Sequence, residues 1–163
     1  AMSRVRRALG IAKAPLVVEH VLTNPEPVVV LFQHTDVRNL IGQQLADMNR
    51  RVAYIDGTIR KNQLTAAMDW FQFGALDVLL VQTQAGGIGL TLTRANRTVI
   101  AELPWTHTAL TQAIARVHRY TQTRPVTAEI VQAQGIWLDD VMASVVQRKQ
   151  IAAQRFLDLL TTS

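Results

Sequence analysis

The 163-residue chain contains no cysteine. That excludes disulfides and thiolate metal sites, and it is compatible with a reducing compartment. His20, His34, His107 and His118 lie far apart and share no metal-ligand spacing. No apolar run approaches the roughly 20 residues of a membrane-spanning helix. The basic start "AMSRVRRALG" lacks the apolar stretch and cleavage site of a secretory signal. The chain is therefore expected to be intracellular, with no membrane partner. Lysine is scarce too: Lys13, Lys61 and Lys149 are the only ones, so arginine supplies nearly all the positive charge. A G-K-[ST] run occurs nowhere, which rules out a Walker A phosphate loop.

What is present is enough apolar sequence for one ordinary core: 48% hydrophobic and 18% charged residues, with a net charge of +5. A basic balance fits an anionic partner such as nucleic acid or nucleotide, or simply a solvated basic surface. Along the chain, short apolar runs alternate with helical patterns. "VVVLF" (28–32) is a β-branched run suited to a strand buried on both faces. It precedes a helix in which Val37, Leu40, Ile41 and Leu45 keep helical spacing and Asp36 can act as N-cap. "RVAYI" (51–55) reads as a second strand ending at the turn "DGT", where Asp56 caps the turn with Gly57. A helix over about 62–73 follows, with Leu64, Ala67, Met68 and Phe71 on one side and Trp70, Phe71 and Phe73 assigned to the core.

"DVLLVQT" (77–83) and "RTVIAEL" (97–103) are further strands, "THTALTQAIARVHRY" a helix, and "PVTAEIVQA" (125–133) a half-exposed strand. A long amphipathic helix, "LDDVMASVVQRKQIAAQRFLDLL", closes the chain, and the first 25 or so residues read as a lead-in helix. Strand–helix alternation of this kind implies a three-layer α/β domain with a mainly parallel sheet. Arg4, Arg6 and Arg7 read as mobile terminal charge.

Open α/β folds gather ligands beyond the carboxyl ends of their strands. "FQHTD", "DGTIR" and "TQAGGIG" all fall there. The glycine segment has neither a Walker lysine nor the G-x-G-x-x-G spacing, so taken alone it is a weak phosphate cradle and suits a structural turn. In the helix after "AELPW", Leu110, Ala113, Ile114 and Val117 form an apolar stripe, and Gln112, Arg116 and Arg119 fall together opposite it. That second face is either a solvated surface or a pair of guanidinium forks offered to phosphate.

Taken together, these segments resemble a known family. "QAIARVHRYTQ" (112–122) is similar to the sixth helicase motif of SWI/SNF-type DNA-translocating ATPases, and "TQAGGIGLTLTRANRTVI" (83–100) to their fifth. "AELPWT", "YIDGTIRKNQ", "VVVLFQHTDV" and "QGIWLDDVMASVVQRKQ" resemble further family segments in the same order, so the likeness covers roughly residues 28–150. The "AELPW" form is closest to the fork-remodelling, strand-annealing branch. Ile114 and Ala115 depart from an acidic pair, Thr121 replaces a glycine, and the closing motif carries an extra residue near Ile136 and Trp137.

The resemblance implies that residues 26–163 form the second of two RecA-like lobes in a three-layer α/β/α fold, after a lead-in segment at 1–25. It implies arginine fingers at Arg116 and Arg119, with Gln112 organising them. Gly87 and Gly89 would pass close to the nucleotide, and Gln33, His34, Arg60 and Thr83 would face the DNA backbone. ATP with Mg2+ would be held mainly by a separate N-terminal ATPase lobe of the same protein, and the protein would act as a monomer. Two other readings remain: a self-standing module binding nucleic acid or protein, and a degenerate lobe kept for assembly.

Overall fold

The structure is a computed structural model that describes residues 2–85, 90–104, 106–117 and 122–133. It opens with helix α1 (Met2–Leu22), then strand β1 (Val28–Phe32), α2 (Thr35–Asp47), β2 (Val52–Ile55), α3 (Lys61–Gln72), β3 (Val78–Gln82), β4 (Arg97–Ile100), α4 (His107–Val117) and β5 (Thr127–Ile130). The five strands form one sheet in the order β2-β3-β1-β4-β5, and every pairing is parallel. The closing helix expected over about 138–160 lies outside the described residues.

The β-branched runs are explained by their burial. All five residues of β1 are buried, and they alternate between two cores because strand side chains alternate between faces. Val28, Val30 and Phe32 pack with α1 and α2 through Val17, Val21, Val37, Ile41 and Leu45. Val29 and Leu31 lie in the opposite core with Ala67 and Phe71 of α3 and Leu110 and Ala113 of α4. The result is three layers, α/β/α, as the strand–helix alternation predicts.

Three expectations need correction. Asp36 is not the N-cap: His34 holds that position, and Asp36 sits in the first turn of α2, paired with Arg7. An acid there still opposes the helix dipole favourably. Trp70 (57% exposed) and Phe73 (86%) are not core residues. Trp70 lies one residue off the Leu64–Ala67–Met68–Phe71 stripe, and Phe73 is the C-cap beyond the helix. Arg6 and Arg7 are not loose terminal charge, because they sit on α1 and bond to Gln33 and Asp36. α4 starts at the carboxyl ends of the strands and must run back along the sheet to reach β5, which pairs in register with β4 from Arg97↔Thr127.

α1 is a structural layer. Ala14 and Val17 are fully buried, and Arg97 caps the end of α1 by donating from Nη2 to His20 O (2.9 Å) and from Nη1 to Val21 O (3.3 Å). Glu129 holds that guanidinium through Nε at 2.6 Å. Gly10 lets α1 pass close over the sheet, since a Cβ there would lie 2.7 Å from both Glu102 Oε1 and Val37 Cγ2.

Two carboxylates tie the β2 side together. Asp77 accepts a bidentate pair from Arg51, 2.7 Å at Nη2 and 3.1 Å at Nε, and these bonds hold its carboxyl below the usual range. At Asp56, burial pushes the pKa up, but hydrogen bonds from Thr58 and the nearby Arg38 outweigh it and leave the group lowered. Carboxyls lowered in the folded state are protonated more readily in the unfolded chain. Their stabilisation is therefore complete above the unfolded carboxylate range near 4 and is lost as pH falls below it. Urea stability should be flat above about pH 5 and decline below about pH 4, with a smaller decline in Asp77→Asn. An undiminished decline in that variant would contradict the assignment.

Candidate nucleotide and nucleic-acid surfaces

At the carboxyl end of the sheet, the chain leaves β1 for α2 on one face and β4 for α4 on the other. Neighbouring strands whose connections part in this way form the switch point at which α/β folds open a crevice. Here the crevice is filled from within. Glu102, 5% exposed, accepts from the backbone N–H groups of Gln33 (2.7 Å) and His34 (2.9 Å) at Oε2. Its Oε1 lies 2.7 Å from His34 Nδ1. A carboxylate can only accept, so Nδ1 carries a proton and donates to it.

Arg6 closes this network from α1, donating from Nη2 to Gln33 Oε1 (2.7 Å) and to Leu103 O (2.9 Å). Burial lowers its pKa from the ordinary guanidinium value, while the charge of Glu102 acts in the opposite sense. On the other side, Gln82 Nε2 donates to Gln33 O (3.0 Å) and Gln82 Oε1 accepts from Gly57 N (3.1 Å). Arg38 continues the line by donating to Asp56 Oδ2 (2.6 Å) while stacking 3.8 Å over the Tyr54 ring. The ends of β2, β3, β1 and β4 thus carry one connected polar crest.

The expected DNA-facing residues fall on this crest with different freedoms. Gln33 is nearly buried and His34 half-buried, both held as above. Arg60 is the exposed N-cap of α3, its backbone N bonded to Gln63 Oε1 at 3.3 Å, and its guanidinium has no protein partner among the described residues. Thr83 is buried, and both its N (2.9 Å) and its Oγ1 (3.1 Å) donate to Phe32 O. That leaves Thr83 no donor for a phosphate. Sequence reasoning missed Arg6, Gln82 and Glu102, whose partners are distant in the chain.

The second surface lies at the other end of α4. Gln112 is exposed at mid-helix, and Arg116, four residues on, is placed by its backbone in the last turn. Topology carries that turn toward the amino end of β4. There Gln122 donates from Nε2 to Thr93 O (2.7 Å) and Ala95 O (2.9 Å), and Asn96 Nδ2 donates to Pro125 O (3.1 Å). The segment after the arginine helix is thus stapled to the stretch that follows the glycines. Gly87, Gly89, Trp105, His118 and Arg119 lie outside the described residues. Among the described residues no group of three or more His, Asp or Glu could hold a metal ion, and no helix is long and apolar enough to cross a membrane. The donors available are guanidinium and amide groups, which suit phosphate oxygens rather than a divalent cation.

The comparisons agree with this architecture. Residues 12–121 match the helicase conserved C-terminal domain family. The DNA repair protein rad8 of Schizosaccharomyces pombe is 34% identical over 64% of this chain and 9% of its own length. A SWI/SNF-related matrix-associated actin-dependent regulator of chromatin subfamily A-like protein 1 homolog from Caenorhabditis elegans is 33% identical over 86% of this chain and 21% of its own. The chain therefore spans only about a tenth to a fifth of the length of these relatives. Among solved structures, the C-terminal part of the Fun30 ATPase domain superposes with a TM-score of 0.72 at 21% identity, covering 83% of this chain and 43% of that one. The C-terminal domain of the DEAD-box protein Dbp5 gives 0.68 at 17% identity, covering 83% and 77%. With its five parallel strands, its matched segment and these relatives, the chain belongs to the helicase conserved C-terminal domain family, as a C-terminal RecA-like lobe of SWI/SNF type.

Proposed function

We propose that this lobe completes an ATP site carried mainly by an N-terminal lobe of the same protein, and that its carboxyl-end crest contacts the DNA backbone. Arg116 and Arg119 stabilise charge developing on the transferred phosphoryl group, which two planar guanidinium groups do without supplying any covalent chemistry. Gln112 organises them, and Gly87 and Gly89 allow the backbone to approach the nucleotide. ATP with its Mg2+ belongs to the other lobe, where phosphate loop and acidic groups are required. On this reading the protein is an intracellular monomer, and a single lobe alone turns over no ATP.

The observation that carries the reading is the staple of Gln122 across Thr93 O and Ala95 O. It ties the segment that follows the arginine helix to the stretch that follows the glycines, which supports one ligand served by both. The DNA surface on this reading is the crest at the carboxyl end of the sheet. There Gln33 and Arg60 are the phosphate donors, His34 anchors the loop, and Thr83 secures it from below.

Contacts of this kind read no sequence and depend strongly on salt. Anisotropy titrations of this chain with a short duplex should give affinities independent of sequence that fall steeply with salt. Arg60→Ala should reduce the slope of log K against log salt by about one. An unchanged slope removes Arg60 from the crest, and salt-independent binding overturns the DNA reading as a whole.

A further inference from the structure

Among the polar groups near the crest, Arg6 is unusual. It precedes the segment matched to the helicase family, residues 12–121, yet it reaches the centre of the switch point. Its guanidinium spans two acceptors from distant parts of the chain, Gln33 Oε1 at 2.7 Å and Leu103 O at 2.9 Å. Arginine has donors only, so the atom of the Gln33 amide that faces it must be the oxygen. The Gln33 NH2 group is then turned away from Arg6, and it has no protein partner among the described residues. With its backbone N bonded to Glu102 and its carbonyl to Gln82, Gln33 is held from three sides and keeps only 9% of its surface exposed.

We infer that Arg6 is a positioning residue which presets the Gln33 side-chain amide as a phosphate donor, making α1 a working part of the nucleic-acid surface. The inference rests on the DNA reading of the crest. Without Arg6 the amide can rotate and offer its oxygen, which repels a phosphate. The close approach of α1 at Gly10 holds Arg6 over the crevice. Lysine cannot replace it, because both bonds leave Nη2, an atom one bond farther along the side chain than a lysine ammonium and with its two protons fixed in the guanidinium plane.

A double-mutant cycle on this chain, read by anisotropy with a short duplex, tests the inference. Gln33→Ala should weaken binding about tenfold, the scale of a hydrogen bond to a charged group. Arg6→Met should weaken it by a similar factor, Arg6→Lys nearly as much, and Arg6→Met/Gln33→Ala no more than Gln33→Ala alone. Wild-type affinity in Arg6→Lys, or losses that multiply in the double variant, shows that Arg6 acts as bulk charge. Either result overturns the inference while leaving the DNA reading intact. Wild-type affinity in Gln33→Ala removes Gln33 from the surface and overturns the inference, whereas salt-independent binding of the native chain overturns the DNA reading beneath it. An arm without DNA follows the Gln33 side-chain amide by 15N NMR. Its NH2 resonances should be dispersed in the native chain and collapse toward the free-amide position in Arg6→Lys, and unmoved resonances overturn the preset.

Discussion

In the proposed two-lobe protein, Arg116→Ala and Arg119→Ala should each lower DNA-stimulated ATP turnover by about 10³-fold or more, with DNA affinity nearly unchanged. The expectation follows from the reaction. A phosphoryl group in a loose transition state spreads charge over its equatorial oxygens, and the protein can contribute little beyond positioning and charge stabilisation. Lysine at either position should restore little, because a point charge cannot reproduce a planar fork. The two losses should not multiply in the double variant, since the groups act as a unit. If ATP is held by the other lobe, the fall appears in kcat rather than KM. Turnover unchanged in both variants would remove them from the chemistry.

The second large effect concerns Glu102. Truncating it to alanine strips acceptors from the backbone N–H groups of Gln33 and His34 and from His34 Nδ1 at once. A buried donor left without a partner costs about 1–3 kcal/mol, so Glu102→Ala should destabilise the chain by roughly 2–5 kcal/mol on this scale. Urea titration of the chain measures this directly. Glu102→Gln is the informative control. Its amide oxygen can accept from the two backbone groups, while its NH2 faces a His34 ring that can shift its proton to Nε2 and accept through Nδ1. A loss of about 1 kcal/mol is expected for that variant. Equal losses in both variants would mean that charge, through Arg6, matters more than hydrogen bonding.

Local pattern was enough to read most of the fold. β1 and the first four residues of β3 are apolar runs because both faces are covered, and the α3 and α4 stripes mark the sides that meet the sheet. Errors arose where an aromatic residue sat one position off a stripe, as at Trp70, or just beyond a helix end, as at Phe73. Residue type favours burial there, but direction decides it. The motif arginines rest on spacing and resemblance, and Arg119 lies outside the described residues. The crest was legible only in part: Gln33 and His34 were visible from the motif order, but their holders were not. Glu102 lies 68 and 69 residues from the groups it binds, and Arg6 lies 27 and 97 residues from its acceptors. No local period reports such pairings, and an arginine on a lead-in helix looks like loose charge until its distant acceptors are seen.

The central claim is that the arginine pair recognises the transition state of phosphoryl transfer on another lobe, and transition-state mimicry tests it most directly. The two-lobe protein, with and without Arg116→Ala or Arg119→Ala, is titrated with a non-hydrolysable ATP analogue and with ADP plus aluminium fluoride. The account predicts near-native affinity for the ATP analogue and a loss of about 10²-fold or more for the mimic, since only interactions stronger in the transition state accelerate the reaction. Equal losses for both ligands, or no loss for the mimic, would contradict it.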